Sequence, residues 1–234
     1  MYELYYWTGI PGRGEFVRLA LEAAGARYKD VARQKGDGVI EKIGERQRTP
    51  SFAPPFLIDG DVVVGQTAAI LHYLGPRLNL VPRDPRQRLW AHQMQLTIAD
   101  FVVEAHDTHH PIGAGLYYED QTREAKRRAR EFRDARVPKF MDWFETILRR
   151  NVAGQKFLVG RRAGYIDFSL FQILEGLAYA FPNRWATLEP DYPLLTAHRQ
   201  RIAGFPALQP YFRSKRRLGF NENGLFRHYP ELDP

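Results

Sequence analysis

The sequence predicts two domains, an α/β unit followed by an all-helical unit. Three observations carry this. Up to residue 74, short β-branched and aromatic runs alternate with helix-spaced apolar residues. From Gly75 to Arg88 there are three prolines (76, 82 and 85) and few core residues, which reads as a boundary. Beyond it every apolar pattern is helical. The expected domains are 1–80 and 87–234.

Glu3 to Trp7 reads as a strand, followed by the breakers Gly9, Pro11, Gly12 and Gly14. Glu15 to Gly25 places Phe16, Leu19, Ala20, Ala23 and Ala24 on one helix face and closes with a glycine. Tyr28–Ala32 suits a second strand, and Gln34–Thr49 a loop with a weak helix around Val39–Ile43. Phe56–Ile58, the turn Asp59-Gly60-Asp61 and Val62–Val64 make a hairpin. A helix from Gln66 to Leu74 follows. This order, β-α-β-(α)-β-β-α, is that of a thioredoxin-like domain. In the second domain, helices are expected over Gln87–His110, over one long amphipathic stretch from Arg123 to Leu148, over Phe168–Ala180 and over Leu194–Ala203. Asp167, three residues into the segment Gly164-Tyr165-Ile166-Asp167, is placed to reach back to the N-cap backbone. The tail from Gly219 is irregular and aromatic.

A chain of 234 residues can hold two small domains, each with its own core. Its 44% hydrophobic and 26% charged residues are ordinary for a soluble protein. The N-terminus has neither a basic n-region nor a long apolar stretch, and no run reaches the ~20 apolar residues of a membrane span. A cytoplasmic protein without membrane attachment is expected. There is no cysteine, which excludes disulfides, thiolate metal sites and a cysteine nucleophile. Any thiol chemistry must use a thiol brought by a ligand. The net charge of +7 raises a nucleic-acid reading. However, Glu124, Glu131 and Asp134 interrupt the densest basic run, Arg123–Arg136, which reads better as a solvated helix face. His106, His109 and His110 invite a metal reading, since His106 and His110 stand four apart, but there is no HExxH and Pro111 ends the helix, so no metal site is expected and the three are placed at the cleft mouth or on a dimer surface.

The most informative stretch is Val64-Gly65-Gln66-Thr67-Ala68-Ala69-Ile70-Leu71. Two hydrogen-bonding residues follow a β-branched run and open an apolar helix, whose free N–H groups and positive dipole end suit a carboxylate. Eleven residues earlier stands Pro55, after Pro54. A cis bend there exposes main-chain groups beside the helix start. Together they form a socket for the backbone of a small acidic peptide.

These residues resemble the glutathione-binding half of the cytosolic glutathione transferases, and the resemblance extends over nearly the whole chain. Tyr5-Tyr6-Trp7 before Gly12-Arg13-Gly14-Glu15-Phe16-Val17-Arg18 is similar to the first strand and helix of the tyrosine-type classes (mu, pi, sigma). Thr97-Ile98-Ala99-Asp100 is similar to the helix segment whose aspartate crosses a dimer to the γ-glutamyl amine. Gly164–Asp167 matches the family's capping segment. A bacterial member is expected. The resemblance implies a homodimer that binds glutathione as cosubstrate, uses no metal or nucleic acid, and conjugates the thiol to small hydrophobic electrophiles in detoxification. The other reading is a non-catalytic glutathione- or hydrophobic-ligand-binding protein of the same fold.

Carried onto this chain, the resemblance makes Tyr6 the catalytic residue. The first loop is one residue longer than the tyrosine-type pattern, so Tyr5 and Thr8 stay as alternates. Strand neighbours face opposite ways, and an insertion settles more easily in the Gly9–Pro11 loop than in a strand. Arg13, Lys42, Pro54, Pro55, Gln66, Thr67 and Asp100 are expected to bind glutathione, Lys42 (with Arg48) only by approximate position. Arg18 is expected to be a structural ion-pair partner. Phe101, Tyr117, Tyr118 and Phe220, with Phe226, are the expected walls of the electrophile pocket. The chemistry needs one donor. A free thiol has a pKa near ~8.5, and a charge-assisted hydrogen bond of ~1.5–3 kcal/mol is enough to make the thiolate dominant at neutral pH.

Overall fold

The computed structural model describes residues 1–234. β1 (Tyr2–Tyr5) leads through a loop into α1 (Gly14–Ala23), and β2 (Tyr28–Asp30) pairs parallel to β1. The second strand is shorter than expected. At Val31 the chain turns into α2 (Val31–Lys35), then α3 (Gly38–Gly44), where only a weak helix was legible. β3 (Phe56–Asp59) and β4 (Val62–Gly65) form the expected hairpin, with Gly60 at φ 61° in the turn. The sheet order is β2-β1-β3-β4, with β3 antiparallel to both neighbours. α4 (Thr67–Arg77) covers it and runs three residues past Leu74, through Pro76.

Alternation along β1 separates two small cores. Leu4 packs with Val17, Leu21, Leu57, Ile70 and Leu74 beneath α1 and α4. Tyr5 packs with Val31, Ala32, Ile40 and Phe56 on the other face.

The second domain begins at α5 (Pro85–His106), where the Asp84 carboxylate accepts from the Gln87 N–H at 2.9 Å and Pro85 occupies the first turn. The long basic helix is not uniform. α6 (Thr122–Glu131) passes through a π-helical turn over Phe132–Arg136 into α7 (Val137–Arg150). Pro138 has no N–H to continue the ladder, so the widened turn falls just before it. Its basic face is partly paired: the Arg136 guanidinium grips the Glu104 carboxylate with two bonds of 2.7 Å. α8 (Tyr165–Ala180) is the buried centre, followed by α9 (Pro182–Leu188), α10 (Pro193–Ala203) and α11 (Gln209–Phe212). As expected, Asp167 caps α8: it accepts from the N–H groups of Gly164 and Leu158, both at 2.8 Å, and meets His198 Nε2 at 2.9 Å. No helix is long and apolar enough to cross a membrane.

The two domains do not have separate interiors. The large helical core continues into the first domain through Phe16, Leu19, Ala20 and Leu71. α1 therefore buries opposite faces against the sheet and against α8. The linker is tied down as well, since Tyr165 N–H donates to the Leu80 carbonyl at 2.9 Å.

Candidate active site

Tyr6 lies just beyond β1, on the α1 side of the sheet. Its ring sits directly over the loop glycines. A Cβ on Gly12 would come within 2.2 Å of the Tyr6 hydroxyl, and one on Gly14 within 2.6 Å of its ring, while Gly12 also holds φ +44°. Glycine at both positions is what lets the phenol fold down onto the start of α1. There the Arg13 backbone N–H donates to the Tyr6 hydroxyl oxygen at 2.8 Å. Burial pushes the Tyr6 hydroxyl above the ordinary phenol value, outweighing that bond and the nearby Arg13 and Arg18 charges. Tyr6 is therefore a neutral phenol at pH 7, a hydrogen-bond donor rather than a base.

The two alternates are engaged elsewhere. Tyr5 stacks on Phe56 at 4.5 Å and donates to Glu3 at 3.1 Å; burial and that carboxylate push its hydroxyl up to about 12. Thr8 turns both its N–H and its hydroxyl onto the Asp37 carboxylate, at 2.9 and 3.3 Å. Beneath the loop, buried Arg18 donates to Asp30 at 2.7 Å and to the Pro11 carbonyl at 3.2 Å, and lies 3.4 Å from Glu15. Glu15 in turn accepts from Tyr211 at 2.7 Å and Arg217 at 2.6 Å. Arg18 thus has the expected structural part, holding the loop that presents Arg13 to Tyr6.

Arg13 lines a cleft of about 460 Å³ between α1, the start of α4 and α5. Gln66 and Thr67 border it, and Phe16, Ile98, Ala99 and Val102 supply apolar walls. Gln66, the N-cap of α4, holds φ 63° and ψ 122°, a conformation non-glycine residues rarely adopt, and its side chain makes no capping bond. The first N–H groups of α4 therefore stay open. Three buried polar atoms on this cleft have no partner: Thr67 Oγ1, Gln95 Oε1 and His92 Nδ1. Gln95 and His92 were not legible in advance, because nothing in sequence fixes which α5 residues stand opposite Thr67. A roomier groove of about 530 Å³, lined by Asn79–Arg83 and Val159–Gly164, lies away from all these residues.

The Pro54–Pro55 bond is cis, as expected, immediately before β3. Neither proline carries an N–H, so the bend offers carbonyl oxygens and no donor. Lys42 is exposed on α3 and is not among the cleft-lining residues; Arg48 is exposed too. Asp100 is exposed on α5 and has no partner within the chain.

The expected electrophile walls need correcting. Phe101 is 1% exposed and stacks on Phe140 at 4.0 Å, because the phase of α5 turns it into the helical core while Val102 and Val103 face the cleft. Tyr118 stacks on Tyr229 at 3.9 Å and donates to Glu231 at 2.9 Å, fastening the C-terminal tail. Phe220 lies against Tyr179 at 5.2 Å and does the same. Tyr117 projects into solvent.

Residues 106–215 match the family model of the glutathione S-transferase C-terminal domain. The chain is 29% identical over 216 residues to glutathione S-transferase P 1 of Xenopus laevis, across 92% of this chain and 93% of that protein. It is 23% identical over 220 residues to the glutathione S-transferase of Plasmodium falciparum (isolate 3D7), across 91% and 95% respectively. Among solved structures, the pi-class glutathione S-transferase of Onchocerca volvulus superposes with a TM-score of 0.72 at 22% identity, covering 95% of this chain and 98% of that one. The fold is that of the glutathione S-transferases, a thioredoxin-like domain followed by an all-helical one. The sequence relatives support an enzyme of the cytosolic glutathione S-transferase type. The relatives named are eukaryotic and lend the expected bacterial source no support.

Proposed function

We propose that the protein conjugates glutathione to hydrophobic electrophiles and activates the thiol through the Tyr6 hydroxyl, in the manner of the tyrosine-type classes. The observation that carries this is the double engagement of Arg13. Its backbone N–H holds the Tyr6 hydroxyl, while the same residue lines the cleft bordered by Gln66 and Thr67. One residue thereby joins the place for a thiol to the place for a carboxylate.

The γ-glutamyl carboxylate would accept from the unpartnered Thr67 hydroxyl and the open N–H groups of α4. The neighbouring ammonium would donate to Gln95 Oε1. Each charge-assisted bond is worth ~1.5–3 kcal/mol. At the other end the Tyr6 O–H donates to the sulfur and favours its ionised form, and the thiolate attacks the electrophilic carbon.

We further propose a homodimer. Leu89, Leu96 and Val103 recur every seven residues along α5 and are all exposed, as is Phe52 in the loop before the cis bend. Leu96 and Val103 also border the cleft, so a twofold partner would cover the ligand and bring its own Asp100 toward the ammonium. Calorimetry with glutathione tests the core of the proposal. Replacing Gln66 and Thr67 together by alanine should weaken binding by at least tenfold; undiminished affinity in that double variant would refute the site.

A further inference from the structure

Three histidines meet where α5 ends. Past His106 the chain makes one more turn before Pro111, bringing His109 and His110 back against His106. One ligating nitrogen from each ring lies within 4.8 Å of the others, and the Nδ1 atoms of His109 and His110 approach to 2.5 Å. On two of the rings the other nitrogen is held. His109 Nε2 lies 3.0 Å from the Leu225 carbonyl, an acceptor only, so Nε2 carries the proton and Nδ1 presents a bare lone pair. His106 Nδ1 lies 3.4 Å from the Asp107 carboxylate, which leaves Nε2 as its free nitrogen.

From this geometry we propose a binding site for a divalent transition metal of the zinc type, with His106, His109 and His110 as ligands. A metal-bound imidazole usually donates its other N–H to a backbone carbonyl or a carboxylate. His109 and His106 have one of each before any ion is present. Zn–N bonds of about 2.0–2.1 Å place two tetrahedral ligands about 3.3 Å apart. The observed spacings bracket that value, so modest ring rotations would close the set. The charges facing the cluster are Asp107, which favours a cation, and Arg227 and Arg13, which oppose one. Arg227 is partly occupied by the Gly224 carbonyl, to which its Nε donates at 2.9 Å. Three imidazoles leave a fourth position open, and the partly exposed His106 gives the ion a way in.

The test titrates the full-length chain with ZnCl2 by calorimetry at neutral pH, and separately with Cu2+ by electron paramagnetic resonance. One ion per chain is expected, with imidazole nitrogen coupling on the copper spectrum. His106→Ala and His110→Ala should each weaken zinc binding by at least about tenfold, the loss typical even of an outer-shell partner. His92→Ala should not, although His92 lies 4.4 Å from His72, ring centre to ring centre, and the two form the other close histidine pair in the chain. Circular dichroism checks that the variants fold, and His106→Gln replaces His106→Ala if that one does not. Absence of zinc uptake at submillimolar metal would overturn the proposal. So would binding that survives both ligand variants, or binding abolished by His92→Ala. None of these readings depends on transferase activity.

Discussion

Replacing Tyr6 by phenylalanine removes one hydroxyl and leaves a ring that still packs over Gly12 and Gly14. Two losses follow. The thiolate of bound glutathione loses a charge-assisted hydrogen bond worth ~1.5–3 kcal/mol, which at ~1.36 kcal/mol per unit raises its pKa by about 1–2 units. The Arg13 N–H also loses its acceptor, an orphaned donor that costs about 1–3 kcal/mol unless water replaces the oxygen. The sign of the pH dependence follows. On the proposed mechanism the parent ionises the bound thiol well below the ~8.5 of a free thiol, so the defect should be largest near pH 6.5, roughly ten- to hundredfold, and should shrink as pH rises above the variant's thiol pKa. Because burial keeps Tyr6 itself protonated, its own ionisation should not appear in the profile at neutral pH. Ultraviolet absorbance of bound thiolate against pH gives the shift, and conjugation rates over the same range give its consequence. An unmoved titration in Tyr6→Phe, together with a moved one in Tyr5→Phe or Thr8→Val, would mean that the inserted residue lies in the strand and not in the loop.

Gly14→Ala should force the Tyr6 ring from its seat, since the added carbon would stand 2.6 Å from it. A stability loss of about 1–3 kcal/mol and a thiol titration shifted toward that of Tyr6→Phe are expected, read by melting and by the same absorbance. Asp167→Asn replaces an acceptor shared by Gly164, Leu158 and His198. It should destabilise by about 3–5 kcal/mol and lower the melting temperature by roughly 6–20 °C in calorimetric scans. Asp100→Asn should loosen glutathione binding while sedimentation still reports a dimer; a parent chain that sediments as a monomer yet conjugates at full rate would exclude the proposed role of Asp100.

The order of strands and helices was legible because period-two and helical spacings differ along nearly every segment. The opposite orientation of Tyr5 and Tyr6 was legible for a related reason: Leu4 and Tyr5 must face opposite cores, so only one of the two tyrosines can face α1. Gln66 and Thr67 announced themselves as polar residues at a helix start. Failures came where spacing is silent. Phe101 and Val103 are two residues apart on one helix, and only the packing of α5 against α7 decides which is buried. Tyr118 and Phe220 were assigned to a pocket because they are aromatic, but aromatic rings also fasten tails, as they do here with Tyr229 and Tyr179. That the three histidines form one cluster was settled only by the turn after His106, which folds His109 back. Gln95 and His92 depend on how α5 crosses α4, a long-range fact.

The sharing of α1 between two interiors bears on what a protease could achieve. The exposed linker around Arg83 invites cleavage, yet a chain nicked there would not separate into independent domains. The N-terminal piece would have to leave Phe16, Leu19 and Leu71 in water, and the C-terminal piece would lose the Leu80 carbonyl that anchors Tyr165. Two separately expressed pieces, 1–83 and 84–234, should instead recognise each other and re-form the cleft, as a molecule in two parts with a single melting transition.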